Sequence, residues 1–288
     1  MEQRVTFPSD GFNLAGILHL PDDMKPGERR PACMILHGFG SNKGSKACID
    51  PAKLMESWGY IVLRFDMRGC GESDGPRAHI ICLDQVADTR NAVTYLSSRP
   101  DVDARRIICV GHSFGAAVSV YAGGVDERIA AVISSGGWGD GQTKFEVQHS
   151  APGAWERFSA TLARGRELRE KTGESIKIPR FDIVPIPAGL RGNLAPGSIM
   201  EFPLETVESM LAFRAVDVVH RIAPRPLLLL HASTDSVTPS EQSIRMFEKA
   251  GSPTDLHLIA DVDHFMFAEA NVMVAEIVRS WLRKHLGY

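Results

Sequence analysis

Apolar residues fall into short runs along this chain, each bounded by turn residues and followed by a longer amphipathic stretch. The runs cover 32–36, 60–65, 107–110, 129–133, 227–230 and 256–259. The helical stretches between and after them include 53–58, 84–96, 114–122, 240–249 and 268–285. Short apolar runs have the length of buried strands, and their alternation with helical stretches predicts a mostly parallel sheet with helices on both faces. Ahead of this pattern, Val5 and Phe7 alternate with polar residues, Asp10-Gly11 makes a turn, and Leu14, Gly16 and Leu18 alternate again. That predicts an antiparallel N-terminal hairpin.

The alternation fails once, between about residues 139 and 215. Pro152, Pro179, Pro185, Pro187, Pro196 and Pro203 punctuate this stretch, and Trp155, Phe158 and Phe181 stand among charges. Helical patterns occur near 155–168 and 204–214, and no run reads as a core strand. A loop of that length is improbable inside a compact domain. The expected organisation is a discontinuous α/β core, 1–138 and 216–288, with an inserted helical cap at 139–215.

Composition narrows the function classes. Hydrophobic residues make up 44% of the 288 and charged residues 23%, which fits a globular protein with ample core and not a disordered or collagen-like one. With 32 basic against 35 acidic residues the net charge is -3, so no global positive field favours nucleic acid or an anionic bilayer. No apolar run reaches membrane-spanning length, and the N-terminus shows no basic-then-hydrophobic signal. Cys33, Cys48, Cys70, Cys82 and Cys109 form no CxxC pair or metal-ligand spacing. A cytoplasmic protein with reduced thiols is expected.

The strongest chemical signal is Arg106-Ile107-Ile108-Cys109-Val110-Gly111-His112-Ser113-Phe114-Gly115-Ala116-Ala117: an apolar strand, then G-x-S-x-G, then small residues opening a helix. A sharp strand-to-helix turn needs neighbours without bulky side chains, and it lifts the serine hydroxyl above the sheet. It also sets the Phe114 N–H at a helix start, where it faces a developing oxyanion. A second signal, His37-Gly38-Phe39-Gly40, follows the strand run 34–36; its glycines let the loop bend close to a substrate, with the Phe39 N–H as second donor.

With these motifs the chain resembles a serine hydrolase of the α/β-hydrolase superfamily. The matching segments are the HGFG loop, Asp66-Met67-Arg68-Gly69-Cys70-Gly71-Glu72-Ser73 and GHSFG, and the resemblance spans nearly the whole chain except the cap. It implies that Asp66 and Arg68 shape the loop floor and are not catalytic, which agrees with reading a strand-end Asp-x-Arg as a structural ion pair. The HGFG loop, the D-x-R-G-x-G-x-S-D-G run and the cap position are also similar to the branch of X-prolyl dipeptidyl-peptidase-like and serine aminopeptidase-like hydrolases.

In such an enzyme an acid and a base follow the serine in the order Ser, Asp, His. Asp235, just past the run 227–230, lies in a segment resembling the superfamily's G-x-x-D-x-x-V/T-P acid site; an N-cap or Asx-turn role is the bland alternative. Asp140 is the competing acid, though Gly136-Gly137-Trp138-Gly139 beside it looks like the entry hinge of the cap. His264 follows the last strand run, on a loop free to reach over the sheet. Of the ten histidines, His37 and His112 sit inside turn motifs, His257 within a strand, His285 on the terminal helix, and His231 at a strand end. The expected site is therefore Ser113 as nucleophile, His264 as base, Asp235 as orienting acid, and Phe39 and Phe114 N–H groups as the oxyanion hole.

Substrate binding is expected from His37, Trp138, Phe145, Trp155, Phe158 and Phe181, as an apolar pocket in which each aromatic has cap core as its plainer role. From 157 to 191 the cap carries eight basic residues against four acidic, an excess that favours an anionic substrate or simply marks a solvated face. A serine at 113 excludes a haloalkane dehalogenase or epoxide hydrolase of this fold, which would need aspartate there. The expected activity is carboxylic-ester hydrolysis through an acyl-enzyme. Amidase or peptidase, thioesterase and C–C bond hydrolase readings share the triad, and a non-catalytic ligand receptor on the same fold is the remote alternative. No metal or organic cofactor is implied. The expected partner is a small-molecule acyl substrate, with no nucleic acid and no membrane, and homodimerisation is left open.

Overall fold

The computed structural model describes residues 1–267 and 271–287. Strands β1 (Glu2–Ser9) and β2 (Phe12–His19) form the N-terminal hairpin, pairing antiparallel around Asp10-Gly11. The chain continues through β3 (Arg30–Leu36), helix α1 (Lys46–Ser57), β4 (Ile61–Phe65), α2 (Cys82–Ser97), β5 (Val102–His112), α3 (Phe114–Val125) and β6 (Ile129–Ser135). After residues 136–226 come β9 (Leu227–Ala232), α8 (Glu241–Lys249), β10 (Thr254–Ile259) and α9 (Val272–Leu286). Eight strands make one sheet in the order β1-β2-β4-β3-β5-β6-β9-β10, parallel except where β2 pairs with β1 and β4.

The central strands read as continuous apolar runs because both sheet faces are covered. Alternate residues divide between them: Ala32, Met34, Leu36, Leu227 and Leu229 pack on the side of α2 and α3. Cys33, Ile35, Leu228 and Leu230 pack on the side of α1 and α9. All five cysteines are buried and unpaired, and burial pushes the Cys48 and Cys82 thiols up to about 12. No helix among the described residues is long and apolar enough to cross a membrane.

Three element boundaries differ from the sequence pattern. β5 begins at Val102, five residues before its apolar run, because Arg30 pairs with Val102 at the outer end before a register shift. α1 begins at Lys46 and carries Pro51 inside. Its buried face of Ala47, Cys48, Pro51, Ala52 and Met55 runs across the proline, so packing overrides the local break. The helical pattern starting at 268 begins on residues outside the described ones, and α9 starts at Val272.

The 139–215 segment holds α4 (Gly141–Gln148), α5 (Ala154–Thr172), β7 (Lys177–Pro179), α6 (Arg180–Ile183), β8 (Glu201–Pro203) and α7 (Leu204–Ala212). β7 and β8 form a two-stranded antiparallel ribbon that the sequence pattern does not reveal, since each is three residues long and contains proline. The segment has no separate core: Phe158, Ile178, Phe202, Leu204 and Met210 belong to the same apolar cluster as Met34 and Leu36.

Lys144 on α4 is an exception to the apolar rule there. It is 2% exposed, its ammonium lies 3.8 Å from the Phe145 ring and 5.7 Å from the Trp138 ring, and no carboxylate pairs with it among the described residues. Burial pushes its pKa down to about 7 from the ordinary 10.5. The folded state therefore gives up a proton that the unfolded chain keeps between those two values, and stability climbs with pH across that window. Below about pH 7 the cost of the buried charge is present in full. Lys144→Met is expected to stabilise the protein by about 2 kcal/mol at pH 6, allowing for the lost cation–π contact. Thermal melts of both proteins at pH 6 and pH 10 check this, with the difference shrinking at the higher pH.

Candidate active site

At the end of β5 the chain turns straight into α3. Ser113 occupies the turn at φ 56 and ψ -117, a backbone that L-residues rarely adopt. The glycines on either side are sterically required: a Cβ at Gly111 would lie 2.1 Å from the Gly115 carbonyl oxygen, and one at Gly115 would lie 2.5 Å from that of Leu36. Ser113 N–H donates to the Ser135 carbonyl of the neighbouring strand, 2.8 Å away, which holds the turn against the sheet.

Three loops at the C-terminal ends of β5, β9 and β10 bring Ser113, Asp235 and His264 together. Ser113 Oγ lies 2.8 Å from His264 Nε2, and His264 Nδ1 lies 2.8 Å from Asp235 Oδ2. The nitrogen facing a carboxylate carries the proton, so Nδ1 donates to Asp235 and Nε2 accepts from the serine hydroxyl. Asp235 Oδ1 also accepts the Val237 and Thr238 N–H groups, at 2.8 and 2.7 Å. Burial alone would raise the Asp235 carboxyl, but the charge of His264 and hydrogen bonds from His231 and His264 outweigh it and hold the group well below the carboxylate range. Asp263 ties the two loops, accepting from Ser236 N–H and Oγ–H and from its neighbour His264 N–H.

His231 makes no hydrogen bond to the serine among the described residues, and its Nε2 lies 3.4 Å from Asp235 Oδ2. Its Nε2 faces the Thr238 carbonyl at 2.9 Å and so carries a proton, and its Nδ1 accepts from Ser243 Oγ at 2.6 Å. Asp140 is not beside His264. It caps α4 by accepting the Thr143 N–H at 3.1 Å and pairs with Arg214 at 2.5 Å. Gly136, read in the sequence as part of a hinge, has a second role: a Cβ there would lie 3.3 Å from His264 Nδ1 and 3.5 Å from Asp235 Oδ2.

The loop Gly38–Phe39 runs alongside the turn, with the ideal Cβ position of Gly38 3.6 Å from Ser113 Cβ. Neither the Phe39 nor the Phe114 N–H donates to a protein acceptor among the described residues. Two free backbone donors beside a serine hydroxyl suit a developing oxyanion. The His112 ring lies 5.0 Å from that of His264, tilted by 53°, and both of its ring nitrogens are buried without partners. Burial, aided by repulsion from His264, pushes its pKa down to about 3, so the imidazole is neutral.

A cavity of about 30 Å³ lies over Ser113. That holds about two waters. Gly38, Phe39, His112, Ser113, His264 and Phe265 line one side, and Arg180, Val184, Ile186, Asn193 and Leu194 from the 139–215 segment line the other. A roomier groove of about 350 Å³ between α1 and α9 has no nucleophile–base pair among its described lining residues.

None of the six side chains expected to bind substrate lines this cavity. His37 is buried, its Nδ1 facing the Gly38 carbonyl and its Nε2 accepting the Met67 N–H, so it braces the loop. Phe145, Trp155 and Phe158 pack around His149, with Phe145 and Phe158 stacked at 5.6 Å. Trp138 packs edge-on against Phe213, and Phe181 lies under the Arg191 guanidinium at 3.9 Å. Trp138, Phe145 and Phe158 belong to the apolar cluster shared with the sheet, and Trp155 and Phe181 pack against it. Asp66 and Arg68 are structural as expected, but they do not pair with each other. Asp66 accepts from Lys43 Nζ at 2.5 Å and Arg68 binds Asp88 at 2.6 Å.

Residues 34–277 match the model of the alpha/beta hydrolase family, and the chain belongs to that family. Among its relatives are polyketide transferase ATR5 of Stachybotrys chlorohalonatus, 26% identical over 97% of this chain and 93% of its own length. Thiohydrolase aneE of Aspergillus aculeatus is 25% identical over 88% of this chain and 83% of its own. The crystal structure of the alpha/beta hydrolase GrgF from Penicillium sp. sh18 covers all of both chains with a TM-score of 0.80 at 23% identity, a likeness of fold.

Proposed function

We propose that this protein is a serine hydrolase that cleaves a carboxylic ester through an acyl-enzyme. The observation carrying this reading is the continuous hydrogen-bonded line from Ser113 Oγ through His264 to Asp235, beside two unpartnered backbone N–H groups. Ser113 Oγ attacks the carbonyl carbon while its proton passes to His264 Nε2. The Phe39 and Phe114 N–H groups hold the oxyanion. As the tetrahedral species collapses, the bond to the leaving oxygen breaks and His264 returns the proton to it. Water then repeats the sequence on the acyl-serine and releases the acid. Asp235 keeps the imidazole in the required tautomer throughout.

In this reading the 139–215 segment is the cap that sets substrate choice, and it supplies one wall of the cavity over Ser113. The relatives' names, which include a thiohydrolase, an acyltransferase and polyketide transferases, favour a thioester as the second reading, because both bonds yield the same acyl-serine. Matched ester, thioester and anilide substrates of one acyl chain test this. The ester reading expects the ester to have the highest kcat/KM; a thioester hydrolysed much faster would replace it with the second reading.

A further inference from the structure

Arg180, the first residue of α6, is 3% exposed and lines the cavity over Ser113. It is the one permanently charged side chain among the described lining residues. No carboxylate lies within ion-pair distance of it among the described residues. Of its five N–H groups, Nη1 donates to the Ile199 carbonyl at 2.9 Å and Nη2 to the Phe39 carbonyl at 2.5 Å. Three are unused, and the Nε–H among them is fully buried without a partner. Burial pushes the group's pKa down to about 10, which still leaves it charged at neutral pH.

An arginine buried without a counter-ion is costly, and two neutral carbonyls do not balance its charge. The cost falls if a monoanion enters the cavity. A carboxylate fits better than a phosphate monoester, since a single positive charge is available to meet it. Arg180 also braces the loop: its Nη2 holds the carbonyl of Phe39, Ile199 N–H donates to the Gly40 carbonyl at 2.8 Å, and Phe202 stacks on Phe39 at 4.1 Å. A residue that only braced the loop would act alike on charged and neutral substrates.

We infer that Arg180 is a specificity-determining residue that receives a carboxylate borne by the acyl part of the substrate, so that the natural substrates are monoesters or monothioesters of dicarboxylic acids. This rests on the acyl-enzyme reading above. The test compares mono-4-nitrophenyl adipate with 4-nitrophenyl hexanoate, which present a carboxylate or a methyl group at the same distance from the carbonyl. Wild-type protein is expected to show at least a tenfold higher kcat/KM for the adipate, above the buffer rate. In Arg180→Gln both values fall, because Phe39 loses a donor, and the ratio drops to one or below; Arg180→Lys retains part of the preference. A wild-type preference for hexanoate, which needs no variant to measure, overturns the inference while leaving ester hydrolysis standing. So does a glutamine variant that lowers both substrates equally. Failure to turn over either ester overturns the acyl-enzyme reading itself, and the inference with it.

Discussion

Ser113→Ala is expected to lower kcat on the order of 10⁶-fold, with what remains near the uncatalysed rate raised by binding and the two backbone donors. The hydroxyl lies 2.8 Å from His264 Nε2; Ser41 and Ser45 also line the cavity, but among the described residues neither hydroxyl is hydrogen-bonded to the imidazole. The turn is held by backbone contacts, from Ser113 N–H to Ser135 and from Gly115 packed on Leu36, and alanine keeps all of them. The variant should melt within a few degrees of the wild type. Kinetics on 4-nitrophenyl hexanoate beside a thermal melt check both halves, and retained turnover would remove Ser113 from the chemistry.

Asp235→Asn is expected to cost on the order of 10⁴-fold in kcat, the loss seen where an amide replaces the orienting acid of such a triad. Asp235 Oδ1 accepts from two backbone N–H groups and Oδ2 accepts from His264 Nδ1–H. An asparagine can satisfy one side only by turning its NH₂ toward donors on the other, and the imidazole then loses its fixed tautomer. Asp140→Asn should change kcat less than threefold, since asparagine caps a helix as well as aspartate does and the Arg214 pair it gives up is half exposed. The reverse order of effects would move the orienting acid to the start of the inserted segment. Asp235 also bears on acid stability. Its folded pKa lies below the unfolded value, so the stability it contributes is present above the ordinary carboxylate range and is lost as the pH falls through it.

The sheet was legible because strands covered on both faces, such as 227–230, are apolar at every position and leave no ambiguity about burial. The meeting of Ser113, Asp235 and His264 was legible for a different reason. Ser113 and Asp235 stand just past such strands and His264 just past the half-buried edge strand β10, so the ladder that fixes the strands also fixes which loops meet. The substrate side was not legible. Aromatic residues at 145–158 signal burial without saying against what; Phe145 and Trp155 both pack on Phe158, and Phe145 and Phe158 join the apolar cluster shared with the sheet. The residues that do line the cavity, Val184, Ile186, Asn193 and Leu194, sit in a proline-punctuated stretch with no period to read. Arg180 was visible only as one of eight basic residues in that stretch. Burial separates it from the solvated ones, and burial of a single arginine has no sequence signal. The pairing of Asp66 with Lys43 and of Arg68 with Asp88 shows the same limit, because long-range partners chosen by packing cannot be read from a D-x-R spacing.

Treatment with a fluorophosphonate probe, followed by intact and peptide mass spectrometry, tests the central claim most directly. Only a serine whose proton is drawn off by a neighbouring base reacts quickly with such a probe. The account predicts one adduct per chain, on Ser113, absent in Ser113→Ala and in His264→Ala. A well-folded protein that takes no label, or takes it on another residue, would contradict an activated Ser113.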